Sequence, residues 1–286
     1  MLKFSNKPLL VASGCSHTDH NYKSSNHPEI DTSWPKWPQI FAEEHGYEYI
    51  NVGRSGAGND YISNSIIDTV TDYPETKLVL ILWSGWERLN FYGRFFNPHS
   101  MNTESIEHRL NRYKDNPEQV AILKHWYYKK VKLQKWEEMS EKAREIVTVE
   151  NLVDRNLRIM YQTLEFLEHK NIKYIFVSAD YGMNWLIGRR SFISDPQRKI
   201  NHHNLKKLLD YMLDHRYFDL LDTQNFWGFP MFKELGGKSA YKLPEFWTPS
   251  GPNLEYIISK YDTHPNAKGQ EKFAEIFSET YKKVYC

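Results

Sequence analysis

The chain has 286 residues, enough to build one large domain around a proper core. Its 37 basic and 36 acidic residues leave a net charge of +1, so no global field favours nucleic acid or an anionic membrane. No apolar run reaches bilayer-crossing length, the N-terminus lacks a signal-peptide core, and two cysteines, Cys15 and Cys286, make no disulfide framework. The expectation is a soluble cytoplasmic protein with no nucleic-acid and no membrane partner.

Pro8-Leu9-Leu10-Val11-Ala12 is short and apolar enough for a buried strand. It runs into Ser13-Gly14-Cys15-Ser16-His17-Thr18, a small polar cluster of the kind that ends a strand. After a polar stretch from Asp19 to Ser33, Gln39 to His45 reads as a short helix closed by Gly46. Tyr47 to Val52 alternates as a second strand and ends in the glycine-rich turn Gly53-Arg54-Ser55-Gly56-Ala57-Gly58-Asn59-Asp60. A helix follows over Asp60 to Asp72, with Ile62, Ile66, Ile67 and Val70 on one face. Lys77 to Trp83 is a third strand, apolar enough to be covered on both sides. This alternation predicts an α/β fold: a three-layer α/β/α sandwich with a flavodoxin-like parallel sheet.

The alternation then stops. Residues 98–150 read as a helical insertion, containing Val120 to Trp126, in a single domain spanning 1–286. A helix from about Asn156 to Lys170 returns the chain to the sheet, and Asn171 to Asp180 is a fourth strand. A helix around Asn204 to Arg216, with His202-His203 at its polar start, precedes Phe218-Asp219-Leu220-Leu221, read as a short fifth strand. Residues 224–260 form an aromatic-rich loop too long for mere connection. The chain closes with a helix over Gln270 to Val284.

Three loops begin where strands, or the approach to the last helix, should end, and such edges converge on one crevice in a parallel sheet. Together they hold a serine hydroxyl at position 16, a glycine turn over 53–59 with free backbone N–H groups, and the pair Asp262 and His264. Those are the parts of acyl transfer through a serine. Cys15 is an alternative nucleophile, since a thiol is more easily activated, but its strand neighbour's placement turns it toward the core. His17, His20 and His27 are potential metal ligands whose spacing fits no common zinc pattern.

Gly14-Cys15-Ser16-His17-Thr18, Asn51-Val52-Gly53-Arg54-Ser55-Gly56 and Asp262-Thr263-His264-Pro265 occur in that order. With these three blocks the sequence resembles the SGNH (GDSL-type) hydrolase family, above all its phage-encoded and bacterial members with a Gly-Cys-Ser-His-Thr start. The resemblance covers both ends of the chain and skips the middle. It implies that Ser16 attacks an ester carbonyl, that His264 takes and later returns the proton, and that Asp262 orients His264. It further implies an oxyanion hole from the backbone N–H groups of Ser16 and Gly56. If the chain is phage-encoded, its place is the virion or the host cytoplasm.

Two departures from the family pattern stand out. Trp86 occupies the position of the family's third-block asparagine, so Asn59, with Asn90 behind it, is the expected substitute donor. Asp262 also lies two residues before His264 instead of three, which demands a tighter loop. Glu87-Arg88 reads as a local ion pair or as a contact for a charged substrate group.

Aromatic residues make up 15% of the chain, with 9 Trp and 19 Tyr. Many fall in loops such as Phe226-Trp227-Gly228-Phe229-Pro230 and Phe246-Trp247-Thr248-Pro249, where rings either pin the loop or stack on flat ligands. Trp86, Arg88, Trp227 and Trp247 are the expected substrate contacts. The functional expectation is a serine ester hydrolase with no cofactor and no metal, acting on a small-molecule or carbohydrate ester, an O-acetyl carbohydrate before a lipid. The alternatives are a non-catalytic binding or structural protein on the same fold, or an acyltransferase using the same serine. No feature sets the oligomeric state.

Overall fold

The structure is a computed structural model that describes residues 7–24, 26–91, 94–96, 110–111, 114–126, 148–179, 206–248 and 251–286. Five strands form one parallel sheet: β1 (Leu9–Gly14), β2 (Glu48–Asn51), β3 (Thr76–Trp83), β6 (Lys173–Ser178) and β7 (Phe226–Trp227). Their order is β2-β1-β3-β6-β7, which is the flavodoxin-like order. Between β3 and β6 in sequence, β4 (Leu89–Phe91) and β5 (Arg94–Phe96) make an antiparallel pair; β8 (Trp247–Thr248) and β9 (Gly251–Pro252) make another.

The sheet is covered on both faces, and the strand sequences show why. Along β3, Leu78, Leu80 and Leu82 enter one core while Val79, Ile81 and Trp83 enter the other. The first core is built with α1 (Trp37–His45) and α5 (Ala267–Tyr285), where Trp37 stacks on Phe277 at 4.2 Å and 6°. The second is built with α2 (Asn59–Asp72) and α4 (Val149–His169), through Ile62, Ile66, Val70, Leu157, Met160 and Leu164. A strand buried on both sides reads as one apolar run, so β1 and β3 are the clearest signals in the chain. The result is the three-layer α/β/α sandwich.

The expected helices are present with small shifts of boundary. α1 ends at Gly46, which takes φ +72° and returns its N–H to Ala42 O. α4 begins seven residues earlier than the apolar pattern suggests, capped by Thr148, whose side chain accepts from Asn151 N at 3.1 Å. Phe218–Leu221 is a turn of helix rather than a strand. The fifth strand is instead Phe226–Trp227, only two residues long and within the aromatic loop. Phe218 and Leu221 are both buried, and a four-residue run does not reveal its period.

Of the helical insertion at 98–150, the helix α3 (Pro117–Trp126) is described; most of the remainder lies outside the described residues, as do His202 and His203. No helix among the described residues is long and apolar enough to cross a membrane.

Candidate active site

Ser16 sits just beyond the carboxyl end of β1, in a turn closed by Thr18 N and Asp19 N donating to Cys15 O. The turn is compact because Gly14 has no side chain. A Cβ there would lie 2.1 Å from Thr18 Oγ1 and 3.1 Å from Leu82 O, on the neighbouring strand. Thr18 Oγ1 accepts from Trp37 Nε1 at 3.2 Å, and His17 O accepts from Gln270 Nε2 at 3.1 Å. The loop is thereby tied to α1 and α5.

The β2–α2 turn lies against this loop. Arg54 N donates to Gly14 O at 3.0 Å, and the Ser55 N–H donates to Asp19 Oδ2 at 2.9 Å. Gly56 takes φ +82°, a conformation that disfavours any side chain. Among the described residues, no group accepts from the N–H of Ser16 or of Gly56.

His264 arrives from the far end of the chain. Its loop is pinned by Ile258 N donating to His264 O (2.9 Å) and by Asn266, which caps α5 and also donates to Ile257 O (3.1 Å). His264 Nε2 lies 2.8 Å from Ser16 Oγ, and Nδ1 lies 2.6 Å from Asp262 Oδ1. The two-residue spacing works because Asp262 forms a tight side-chain turn. Its Oδ1 also accepts the His264 backbone N–H at 3.1 Å. Its Oδ2 accepts from Tyr22 Oη at 2.8 Å and from Ser24 Oγ.

Burial, which opposes charge on Asp262, is outweighed by the His264 hydrogen bond and charge and by the Ser24 hydroxyl. These hold the carboxyl well below the usual carboxylate range. Burial, and then the Asp262 carboxylate, push the Tyr22 hydroxyl well above the usual phenol range, so it stays a donor. For His264, burial lowers proton affinity, with Asp262 raising it in opposition and His17 adding to the lowering; the balance lies below the ordinary imidazole value of 6.5. An imidazole acts as a base only when neutral. A reaction that uses His264 as its base is expected to hold above that shifted value and fall as pH drops through it. A pH profile of kcat/KM checks this, and an acid limb centred at or above 6.5 would contradict it.

Cys15 is only 1% exposed, with Sγ 3.4 Å from His17 Nδ1. Burial pushes its thiol up, but His17 and then Arg88 outweigh that and leave it below the ordinary value. Its side chain is nevertheless enclosed by the protein. The His17 ring packs on His264 (5.1 Å between centroids) and edge-on against Tyr241 (4.9 Å). No group of three or more potential metal ligands occurs among the described residues.

The remaining predicted contacts separate. Asn59 is fully buried and its amide is engaged on every side: Nδ2 donates to Asn156 Oδ1 (2.7 Å) and Ser84 O (3.3 Å), and Oδ1 accepts from Ser84 N (2.9 Å). It ties β3 to α4 and is not offered to a ligand. Trp86 is also fully buried, packed edge-on against Phe232 at 6.2 Å, so its indole belongs to the core. Arg88 is half-buried and donates to Ala57 O at 3.3 Å. Trp227 lies half-buried on β7; Trp247 lies half-buried on β8, with the Lys242 ammonium 4.7 Å from its ring centroid. Asn90 Oδ1 accepts from Gly58 N at 3.3 Å, and its buried amide nitrogen has no acceptor among the described residues.

Sequence reasoning missed Tyr22 and Ser24. They fall in a polar loop with no periodicity, and the group they serve is about 240 residues away. Nothing local could have singled them out.

No protein-family model matches this chain, and no curated protein matches it. Among solved structures it is similar to a protein from Desulfitobacterium hafniense described as lipolytic and of the G-D-S-L family. The identity is 11% over 96% of this chain and 99% of that one, with a TM-score of 0.41. It is also similar to a catalytic mutant of an acetylxylan esterase from Geobacillus stearothermophilus (11% identity, 98% and 96% covered, TM-score 0.39). A third similar structure is an alpha/beta hydrolase enzyme from the metagenome of Lake Arreo, Spain (11% identity, 99% of each chain covered, TM-score 0.39).

Proposed function

We propose that this chain is an SGNH-type serine ester hydrolase working through an acyl-serine intermediate. The observation that carries the reading is the hydrogen-bonded line from Ser16 Oγ to His264 Nε2 (2.8 Å) and from His264 Nδ1 to Asp262 Oδ1 (2.6 Å). In that geometry Ser16 Oγ attacks the ester carbonyl as its proton passes to His264 Nε2. The N–H groups of Ser16 and Gly56 are the donors for the oxyanion. Collapse of the tetrahedral species expels the alcohol, which takes the proton from Nε2. Water, activated by the same nitrogen, then releases the acid and regenerates Ser16.

The substrate class we assign is an O-acetylated carbohydrate. Its support is the half-buried indoles of Trp227 and Trp247 in the aromatic stretch that leads to His264. Acetylated sugars are expected to be cleaved far faster than p-nitrophenyl butyrate or longer esters. Steady-state rates on both substrate types check this, and the reverse preference would remove the carbohydrate assignment.

A second reading, a non-catalytic binding protein on this fold, draws on one observation: neither Asn59 nor Trp86 offers a side-chain donor to an oxyanion. A fluorophosphonate probe separates the two. A hydrolase is labelled at Ser16; a protein that resists labelling is a binding protein.

A further inference from the structure

Tyr22 stands between the two halves of the acid–imidazole pair. Its hydroxyl oxygen is 2.8 Å from Asp262 Oδ2 and 2.8 Å from His264 Nδ1. The single phenolic proton goes to the carboxylate, because a charged acceptor wins over a neutral one. The phenolic lone pairs then face Nδ1. That nitrogen is flanked by two acceptors, the Tyr22 oxygen and Asp262 Oδ1, and only an Nδ1 that carries a proton satisfies both. The proton is thereby kept off Nε2, whose lone pair remains for the Ser16 hydroxyl.

The arrangement answers a particular weakness of this chain. With Asp262 two residues before His264, one carboxylate oxygen serves both the His264 backbone N–H and its Nδ1. Sharing an acceptor weakens each bond, and the Tyr22 oxygen gives Nδ1 a second one. The Tyr22 ring also lies along the imidazole, 4.3 Å between centroids and tilted by 31°, which restrains the plane of His264. Tyr22 is itself held, since its N–H donates to Asp19 O at 3.2 Å and its carbonyl accepts from Thr32 Oγ1.

Resting on the hydrolase reading, we propose that Tyr22 is a positioning residue that locks His264 in the Nδ1–H tautomer. Two variants separate this role from simple support of the carboxylate. Tyr22→Phe keeps the ring and removes the hydroxyl; Ser24→Ala removes the other donor to Asp262 Oδ2 and touches nothing on the imidazole. Tyr22→Phe is expected to slow fluorophosphonate labelling of Ser16 and kcat on p-nitrophenyl acetate about tenfold, with KM changed by less than about twofold. Ser24→Ala is expected to cost less than about threefold. A Tyr22→Phe protein no slower than Ser24→Ala overturns the proposal.

Imidazole proton spectra of isotope-labelled protein supply a readout that needs no turnover, with His264 assigned by its loss in His264→Gln. The His264 Nδ1–H resonance should move in Tyr22→Phe by more than its linewidth; an unmoved resonance overturns the proposal. If wild-type protein is not labelled at Ser16, the hydrolase reading fails and this resonance alone decides the role of Tyr22. If Tyr22→Phe does not fold, the wild-type spectrum suffices, because a neutral His264 protonated on Nε2 is incompatible with the lock.

Discussion

Ser16→Ala is expected to lose fluorophosphonate labelling completely and to lower kcat for ester hydrolysis by a factor on the order of 10³ to 10⁶. The residual rate would come from the N–H donors of Ser16 and Gly56, which the substitution leaves in place. Little stability should be lost, about 1 kcal/mol or less, because the change removes one hydroxyl whose bond to His264 Nε2 lies at a partly exposed ring. Thermal melting beside the kinetics separates an inactive fold from an unfolded chain. Ser16→Ala protein that keeps a tenth or more of its activity (a loss of less than about tenfold) would place the chemistry on another nucleophile and end the reading of Ser16 as the acylated residue.

Asp262→Asn is expected to be nearly as damaging, for a reason specific to this site. The wild-type carboxylate accepts from four donors: the His264 backbone N–H, His264 Nδ1–H, the Tyr22 hydroxyl and the Ser24 hydroxyl. An amide has one oxygen and an NH₂ group, so two of those donors must face N–H. If the NH₂ replaces Oδ2, the Tyr22 hydroxyl turns and gives its proton toward His264 Nδ1, 2.8 Å away. If it replaces Oδ1, Nδ1 meets a donor directly. Both outcomes drive the imidazole proton to Nε2, where it confronts Ser16 and cannot act as a base. A fall in kcat of about 10³ to 10⁴ follows, with no recovery at high pH. A kcat within about tenfold of wild type would remove Asp262 from the mechanism.

The sequence by itself determined the layers and the ends of the sheet. β1 and β3 are buried on both faces, which compels uninterrupted apolar runs; α1 and α2 are bounded by glycine and by turn residues. These are local requirements, so they leave local marks. The meeting of Ser16, His264 and Asp262 was legible because strand ends and short motifs place residues at predictable edges. β7 was missed and Phe218–Leu221 misread because two to four apolar residues do not display a period.

Tertiary structure alone decided what the remaining polar residues do. Asn59 and Trp86 lie in the right stretches, yet packing of α4 against α2 draws the first into a bond with Asn156, and the second is sealed in the core. Tyr22 and Ser24 lie in a loop with no pattern at all, and meet Asp262 only once β1 and the approach to α5 have been brought together. A hydrogen bond across some 240 residues depends on where two backbones finish, to within a few tenths of an ångström. Residue order and periodicity carry no such precision, which is why the sheet could be read in advance and the company of the imidazole could not.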